Sequence, residues 1–303
     1  MTSAFEIQGH RGARGLFPEN TLEGFRATLA LGVTSLELDV GVTADDVVVV
    51  VHDPRLNADL TRGPDGAWLP ETGPAIRSLT YAELIRYDVG RARGGSVVAL
   101  HNPDQAGVDN VRIPMLDDVF KLAAGTGVII DVEIKTDPAY PELTVSPEVM
   151  ADAVLAVARR NNALDTLAVR SFDWRSLAHL RSVWPGATLG WLTSAGTATP
   201  AWRGTHTPAL SNLVESVHAA TGGTPGCWAP DMSELTPDIV VRAKAAGLRV
   251  VPWTVNDPAD IDRLAGWGVD GVTTDRPDLA REVLAKRGWR LPPIVHASGG
   301  ATG

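Results

Sequence analysis

Short apolar runs alternate with amphipathic helical stretches along nearly the whole chain. This alternation builds βαβ units around a parallel sheet and leaves few other folds open. Eight runs are predicted as strands: Phe5–His10, Ser35–Val40, Val128–Lys135, Leu167–Phe172, Thr188–Leu192, Cys227–Pro230, Arg249–Val255 and Gly271–Thr274. Helices are predicted between them, over Thr21–Leu31, Leu116–Ala124, Pro147–Arg160, Trp174–Val183, Pro208–Ala219, Pro237–Ala246 and Pro258–Ala265, with Pro277–Lys286 closing the chain. Several open on proline, whose missing N–H costs nothing in a first turn. Gly32, Gly247 and Gly268 follow helix ends, where glycine caps well. Eight strands is the closure number, so the expected fold is α/β, a (β/α)8 TIM barrel.

A ninth run, Val47–His52, follows Val40 after the short link Thr43-Ala44-Asp45-Asp46. Adjacent parallel strands need a crossover of about a dozen residues or more. This run must therefore fold back as a hairpin arm above the second strand. Residues 54–114 break the rhythm, being rich in Gly, Pro, Asp and Arg, and read as a small inserted subdomain after that hairpin. Its one predicted helical piece is Thr80–Tyr87. Residues 1–290 are expected to form a single domain that includes the insertion, and 291–303 a flexible tail.

With 303 residues and 44% hydrophobic content, the chain can bury one large core. Its net charge is −9 and it has no dense Lys/Arg run, which disfavours nucleic acid as a partner. One cysteine, Cys227, excludes an intrachain disulfide and any multi-cysteine metal site. The start, MTSAFEIQGHRG, lacks the pattern of a secretory signal, and no run of about 18 apolar residues occurs. A cytoplasmic location is the default expectation, although a removed signal would leave no trace.

Barrel enzymes carry their chemistry at the C-terminal ends of strands. The first strand ends in Gly9-His10-Arg11-Gly12, and the hairpin arm ends in His52-Asp53. The second carries Glu37-Leu38-Asp39 and the third Asp131-Val132-Glu133-Ile134-Lys135. Strand alternation puts Glu37 and Asp39 on one face and Leu36, Leu38 and Val40 on the other. It likewise groups Asp131, Glu133 and Lys135 opposite Ile130, Val132 and Ile134. Helices cover the outside, so the acids must face the barrel mouth. Burying so many carboxylates without compensation costs several kcal/mol each. Lys135 and Arg11 offset part of that, and a hard divalent cation offsets more. An all-oxygen set suits Mg²⁺ or Ca²⁺. His179, His206, His218 and His296 read as ordinary surface groups, while His101 in the insertion stays open.

These segments together resemble the glycerophosphodiester phosphodiesterase family, within the wider phosphatidylinositol-phospholipase-C-like group. The resemblance runs through GHRGARGLFPENTLEGF (Gly9–Phe25), LELDVGVTADDVVVVVHDP (Leu36–Pro54), RIPMLDDVF (Arg112–Phe120), DVEIK (Asp131–Lys135), RSFDW (Arg170–Trp174), VPWTVN (Val251–Asn256) and GVTTDRP (Gly271–Pro277). It implies that Glu37, Asp39 and Glu133 bind one divalent metal ion. It makes His10 and His52 the general acid/base pair and sets Arg11 on the phosphate. Lys135 supports the phosphate or the charge balance, Trp253 lines the substrate pocket, and Glu19 and Asn20 organise the site. Arg170 stands where many relatives have Gln, which bears on local substrate contacts.

The implied reaction is hydrolysis of a glycerophosphodiester to an alcohol and a glycerophosphate, commonly the 3-phosphate. A neighbouring substrate hydroxyl or water could attack, and either histidine could be the base. A lysolipid or sphingolipid substrate would need an apolar groove near the mouth, and the polar insertion favours a water-soluble one. A non-catalytic phosphodiester-binding barrel would be expected to lack a histidine or a metal ligand, and this chain retains them all. An isomerase-type barrel would want Gly-rich phosphate loops after the last strands, which Asn256-Asp257-Pro258 and Thr274-Asp275-Arg276-Pro277 do not resemble.

Overall fold

The structure, a computed structural model, describes residues 5–204, 213–223 and 225–296. Its strands are β1 (Glu6–Gly9), β2 (Ser35–Val42), β3 (Val48–Val50), β4 (Ile129–Ile134), β5 (Leu167–Ser171), β6 (Thr188–Thr193), β7 (Cys227–Pro230), β8 (Arg249–Val250) and β9 (Gly271–Thr274). All but β3 run parallel, in the order β8-β7-β6-β5-β4-β2-β1-β9. Backbone bonds join the two ends: Asp270 N to Val250 O (2.8 Å), Thr273 N to Pro252 O (2.9 Å) and Val255 N to Thr273 O (2.9 Å). The sheet therefore closes into the expected eight-stranded barrel.

The run expected over Arg249–Val255 keeps regular strand geometry for only two residues. Pro252 offers no N–H to the ladder. Val251 N and Trp253 N still reach Trp228 O and Pro230 O, so the segment stays in its slot. β3 pairs antiparallel with β2, Val40 facing Val50 and Val42 facing Val48. Thr43 shapes the turn, accepting from Val47 N at 3.0 Å and donating to Asp45 Oδ1 at 2.6 Å.

Helices surround the barrel: α1 (Leu22–Leu31), α4 (Leu116–Ala123), α5 (Pro147–Arg160), α6 (Trp174–Val183), α8 (Leu213–Ala220), α9 (Pro237–Ala245), α10 (Pro258–Trp267) and α11 (Pro277–Lys286). Short helices α2 (Tyr81–Leu84), α3 (Val97–His101) and α7 (Pro200–Arg203) lie in the connections. The first residues expected for α8 fall outside the described residues, as does His206. Thr21, Ser146, Asp173, Thr236 and Asp257 cap their helices by accepting a backbone N–H. The sequence suggested neither α3 nor α7. Ser96 caps α3 through Ala99 N at 3.2 Å.

The alternation along β2 and β4 sorts as expected. Leu36, Leu38, Val40, Ile130, Val132 and Ile134 are buried in the layer shared with Phe25, Leu29 and Val154 of the helices. Each such side chain contributes about 1.5–3 kcal/mol. Residues between the hairpin and α4 gather around a smaller cluster of Val49, Leu56, Ile76, Leu84 and Ile113. Pro292 O accepts from Arg281 Nη1 (2.8 Å) and Val295 N reaches Leu29 O (3.3 Å). Residues 297–303 lie outside the described residues.

Candidate active site

The acids on the inner faces of β2 and β4 meet at the mouth. Glu37, Asp39 and Glu133 are buried, and each offers an oxygen within 4.8 Å of the others'. The register makes this inevitable, because Asp39 stands beside Glu133 and Glu37 beside Asp131. Lys135 Nζ lies 2.6 Å from Glu133 Oε1 and 3.2 Å from Asp39 Oδ1. Even so, Asp39 Oδ1 and Glu133 Oε1 are buried and accept no well-directed hydrogen bond. Burial, then the charge of Asp39, pushes the Glu37 carboxyl well above the usual range, although Arg170 opposes it. Burial would also raise Asp39, but Lys135, His52 and Arg11 hold it far below. An all-oxygen trio with unsatisfied atoms and one carboxyl forced toward its neutral form fits a hard divalent cation.

The segment after β1 braces this trio. Arg11 takes a left-handed backbone, φ 50, and its N–H donates to Glu37 Oε2 at 2.9 Å. Its guanidinium donates to Glu19 (2.9 Å), with Nε 3.4 Å from Asp39. Burial works against its charge, yet Glu19, Asp39 and Glu37 hold its pKa far above the ordinary value. Asn20 donates to Asp39 Oδ2 at 3.0 Å. Glu19 and Asn20 thus fix Arg11 and Asp39 from behind.

His10 and His52 flank the trio, and each leans on an aspartate. His10 Nδ1 is 2.6 Å from Asp275 Oδ1, and Asn256 donates to Asp275 Oδ2 at 2.8 Å. His52 Nδ1 is 2.7 Å from Asp53 Oδ1, and Asn57 donates to Asp53 Oδ2 at 2.7 Å. Burial lowers the His10 pKa, with Asp275 pulling partly the other way. Asp275 and Asp53 both sit at about 2: burial opposes their charge, and their histidines outweigh it. Sequence reasoning gave Asp275, Asn256 and Asn57 no role. The usable signal was closure, which sets the residue after the last strand beside the end of the first.

His10, Arg11, Glu37, His52, Glu133 and Lys135 all open onto one polar cavity of about 570 Å³ at the mouth. Trp253 lines it too, its indole N–H held by Ala229 O (2.9 Å) and its ring edge-on to Phe172 (5.3 Å). His101 of α3 reaches the rim from the insertion. Arg170 lies in the floor, 2% exposed, where it pairs with Asp131 and Gln8 and donates to Thr273 at 3.2 Å. It neutralises a buried acid below the trio. Asp131, on the same face as Glu133, is thereby engaged away from the acidic trio. His179 pairs with Asp152 at 2.8 Å, far from the mouth lining.

The glycerophosphoryl diester phosphodiesterase family profile matches residues 10–279. A glycerophosphodiester phosphodiesterase from Caldanaerobacter subterraneus is 27% identical over 282 residues, covering 93% of this chain and 98% of that one. A crystal structure from Silicibacter pomeroyi, described as a candidate glycerophosphoryl diester phosphodiesterase, superposes with a TM-score of 0.85. It is 37% identical and covers 95% of this chain and 96% of its own. An Oleispira antarctica phosphodiesterase solved with its product sn-glycerol-3-phosphate shares the fold, with TM-score 0.71, 23% identity, and coverage of 93% and 97%. A profile spanning nearly the whole barrel, from His10 to the last helix, makes this chain a member of the glycerophosphoryl diester phosphodiesterase family.

Proposed function

We propose that this enzyme, a glycerophosphodiester phosphodiesterase, uses one divalent cation and two histidines to release an alcohol and a glycerophosphate. The observation that carries the reading is that both imidazoles, Glu37 and Glu133 line one cavity, with Asp39 buried in the same acidic trio. Glu37, Asp39 and Glu133 would hold Mg²⁺ or Ca²⁺, which when bound neutralises charge on the phosphodiester oxygens. Arg11 and Lys135 add fixed positive charge at the same place. Trp253 and Phe172 wall the space beside the substrate. Residues 1–290 read as one catalytic domain carrying 54–114 as its insertion.

Hydrolysis requires one proton to leave the nucleophile and one to reach the leaving alkoxide. Ionised Asp275 accepts from Nδ1–H of His10 and ionised Asp53 from Nδ1–H of His52. Each histidine then keeps Nε2 for the proton it moves. The nucleophile is water or the glycerol hydroxyl next to the ester oxygen. Glu19 and Asn20 hold Arg11 and Asp39 in place through both steps.

The test is metal titration followed by calorimetry and by turnover of glycerophosphocholine. Wild-type protein should bind one Mg²⁺ or Ca²⁺, and Glu37→Gln should weaken that binding at least tenfold. Full turnover by chelated enzyme would overturn the metal-dependent reading.

A further inference from the structure

A second cavity, of about 200 Å³, opens behind His52. It shares His52, Glu133, Lys135 and Phe172 with the polar mouth, so the two spaces adjoin along these side chains. Its character differs. Val42, Val51, Ile134 and Leu143 supply aliphatic walls, and Phe172 and Trp202 supply aromatic ones, edge to face at 6.5 Å. Tyr140, 56% exposed, forms the outer lip. The insertion adds little beyond Pro54 and Ile76, so its polar composition says nothing about this space.

We infer that this cavity is a hydrocarbon subsite: it takes an aliphatic chain borne by the phosphodiester substrate while the phosphate sits at the mouth. The inference rests on the phosphodiesterase reading above. A cationic head group is the rival occupant, since aromatic rings also attract ammonium ions. The charges present argue against it. Lys135 Nζ already stands over the Phe172 ring, 5.9 Å from its centroid, and would repel a second cation. The nearby acids are engaged as well. Asp53 is shared between His52 and Asn57, Glu133 faces Lys135, and Asp137 accepts from Ala139 N. What remains is apolar wall, whose favourable occupant is hydrocarbon. The chain could be an alkyl leaving alcohol or an acyl group on the glycerol, for both lie within reach of the phosphorus.

The experiment compares kcat/KM for three soluble substrates: glycerophosphoethanolamine, the glycerophosphate diester of n-hexanol, and 1-hexanoyl-glycerophosphoethanolamine. Each buried methylene is worth about fourfold, so one hexyl substrate should exceed the polar one by tenfold or more. Which one gains identifies the chain's point of attachment. Leu143→Asp and Thr144→Trp, on the half-buried outer wall, should each remove the gain and leave glycerophosphoethanolamine turnover within about twofold. Thermal melts select whichever variant is folded. Equal kcat/KM for all three substrates would overturn the hydrocarbon subsite and leave the phosphodiesterase intact. An unchanged hexyl preference in a folded variant would overturn it too. No turnover of any of the three would overturn the reading on which it rests.

Discussion

His10 directly follows β1 inside the closed barrel, whereas His52 lies past β3 on the arm leading into the insertion. Each has the same equipment, an aspartate on Nδ1 and an asparagine behind it. The surroundings differ. His10 and Asp275 are both 14% exposed, while His52 and Asp53 are 30% and 35% exposed. His10 N is bonded to Thr274 O across the closing strands, and Asp275 N to Asn256 Oδ1. The support of His52 is local: Asp53 is the next residue and Asn57 is four further on. One imidazole is thus held by the barrel and the other by a loop at a cavity wall. On the proposed two-histidine reading, the comparison teaches that the fixed half would serve chemistry common to any phosphodiester. The loop-borne half lines both cavities, so on the same reading substrate identity would be felt there.

The strongest way to break this pairing is to delete each imidazole. His10→Ala and His52→Ala should each lower kcat on glycerophosphocholine by on the order of a hundredfold or more. Metal affinity, read by calorimetry, should survive both changes. Should either variant retain wild-type turnover, the two-histidine scheme falls.

The sequence displayed one half of this arrangement better than the other. His52 and Asp53 are neighbours in the chain, and the carboxylates of β2 and β4 follow from period-two alternation. Asp275 stands 265 residues from His10, and its contact exists because β9 pairs with β1. Local periodicity carries the elements, since helix and strand patterns need only a few residues. It carries the strand order too, once eight runs must close. It does not carry Arg170: its partner Asp131 lies on the same face as Glu133, and only depth in the barrel separates floor from mouth. Nor does it carry the cavity behind His52, whose walls come from β2, the hairpin arm, β4, the segments after β4, β5 and β6, and Pro54 and Ile76 of the insertion. Strand edges at Pro252 blur for a local reason, a missing donor.

Acid stability sharpens the contrast between the aspartates. Asp275 falls to about 2 from an ordinary 3.8, so its carboxylate stabilises the fold. That contribution is complete above pH 3.8 and drains away as pH falls through about 2. The shift corresponds to about 2 kcal/mol. Asp275→Asn should therefore lose about that much at neutral pH, and its gap from wild type should narrow toward pH 2. Asp53 is depressed to a similar value, but solvent around its more exposed carboxylate screens the pair. Asp53→Asn should cost clearly less. Urea midpoints from pH 2 to 7 for the three proteins measure both curves, and identical curves for the two variants would erase the distinction.

The smallest effect is the one on turnover, and it bears most directly on why each dyad exists. An asparagine in place of either aspartate keeps the volume but withdraws the ionised acceptor that fixes the ring tautomer. At Asp275 the replacement is buried, and it must still satisfy Asn256 and the backbone that Asn256 holds. The His10 ring then loses its orientation in a place where water cannot substitute for the lost acceptor. A drop in kcat of roughly tenfold is expected there. At Asp53 water can reach the gap and supply the missing bond, so a drop of about two- to threefold is expected. The pH profile separates this from general damage. Without Asp275 only the weaker pull of Asp39 offsets the burial of His10, and the limb belonging to that group should move to lower pH, since Asp275 is the largest influence raising it. Asp53→Asn should leave that limb where it is. Steady-state kinetics from pH 5 to 9 would show both results. A larger loss at Asp53 than at Asp275 would reverse the assignment of the fixed and the adaptable half.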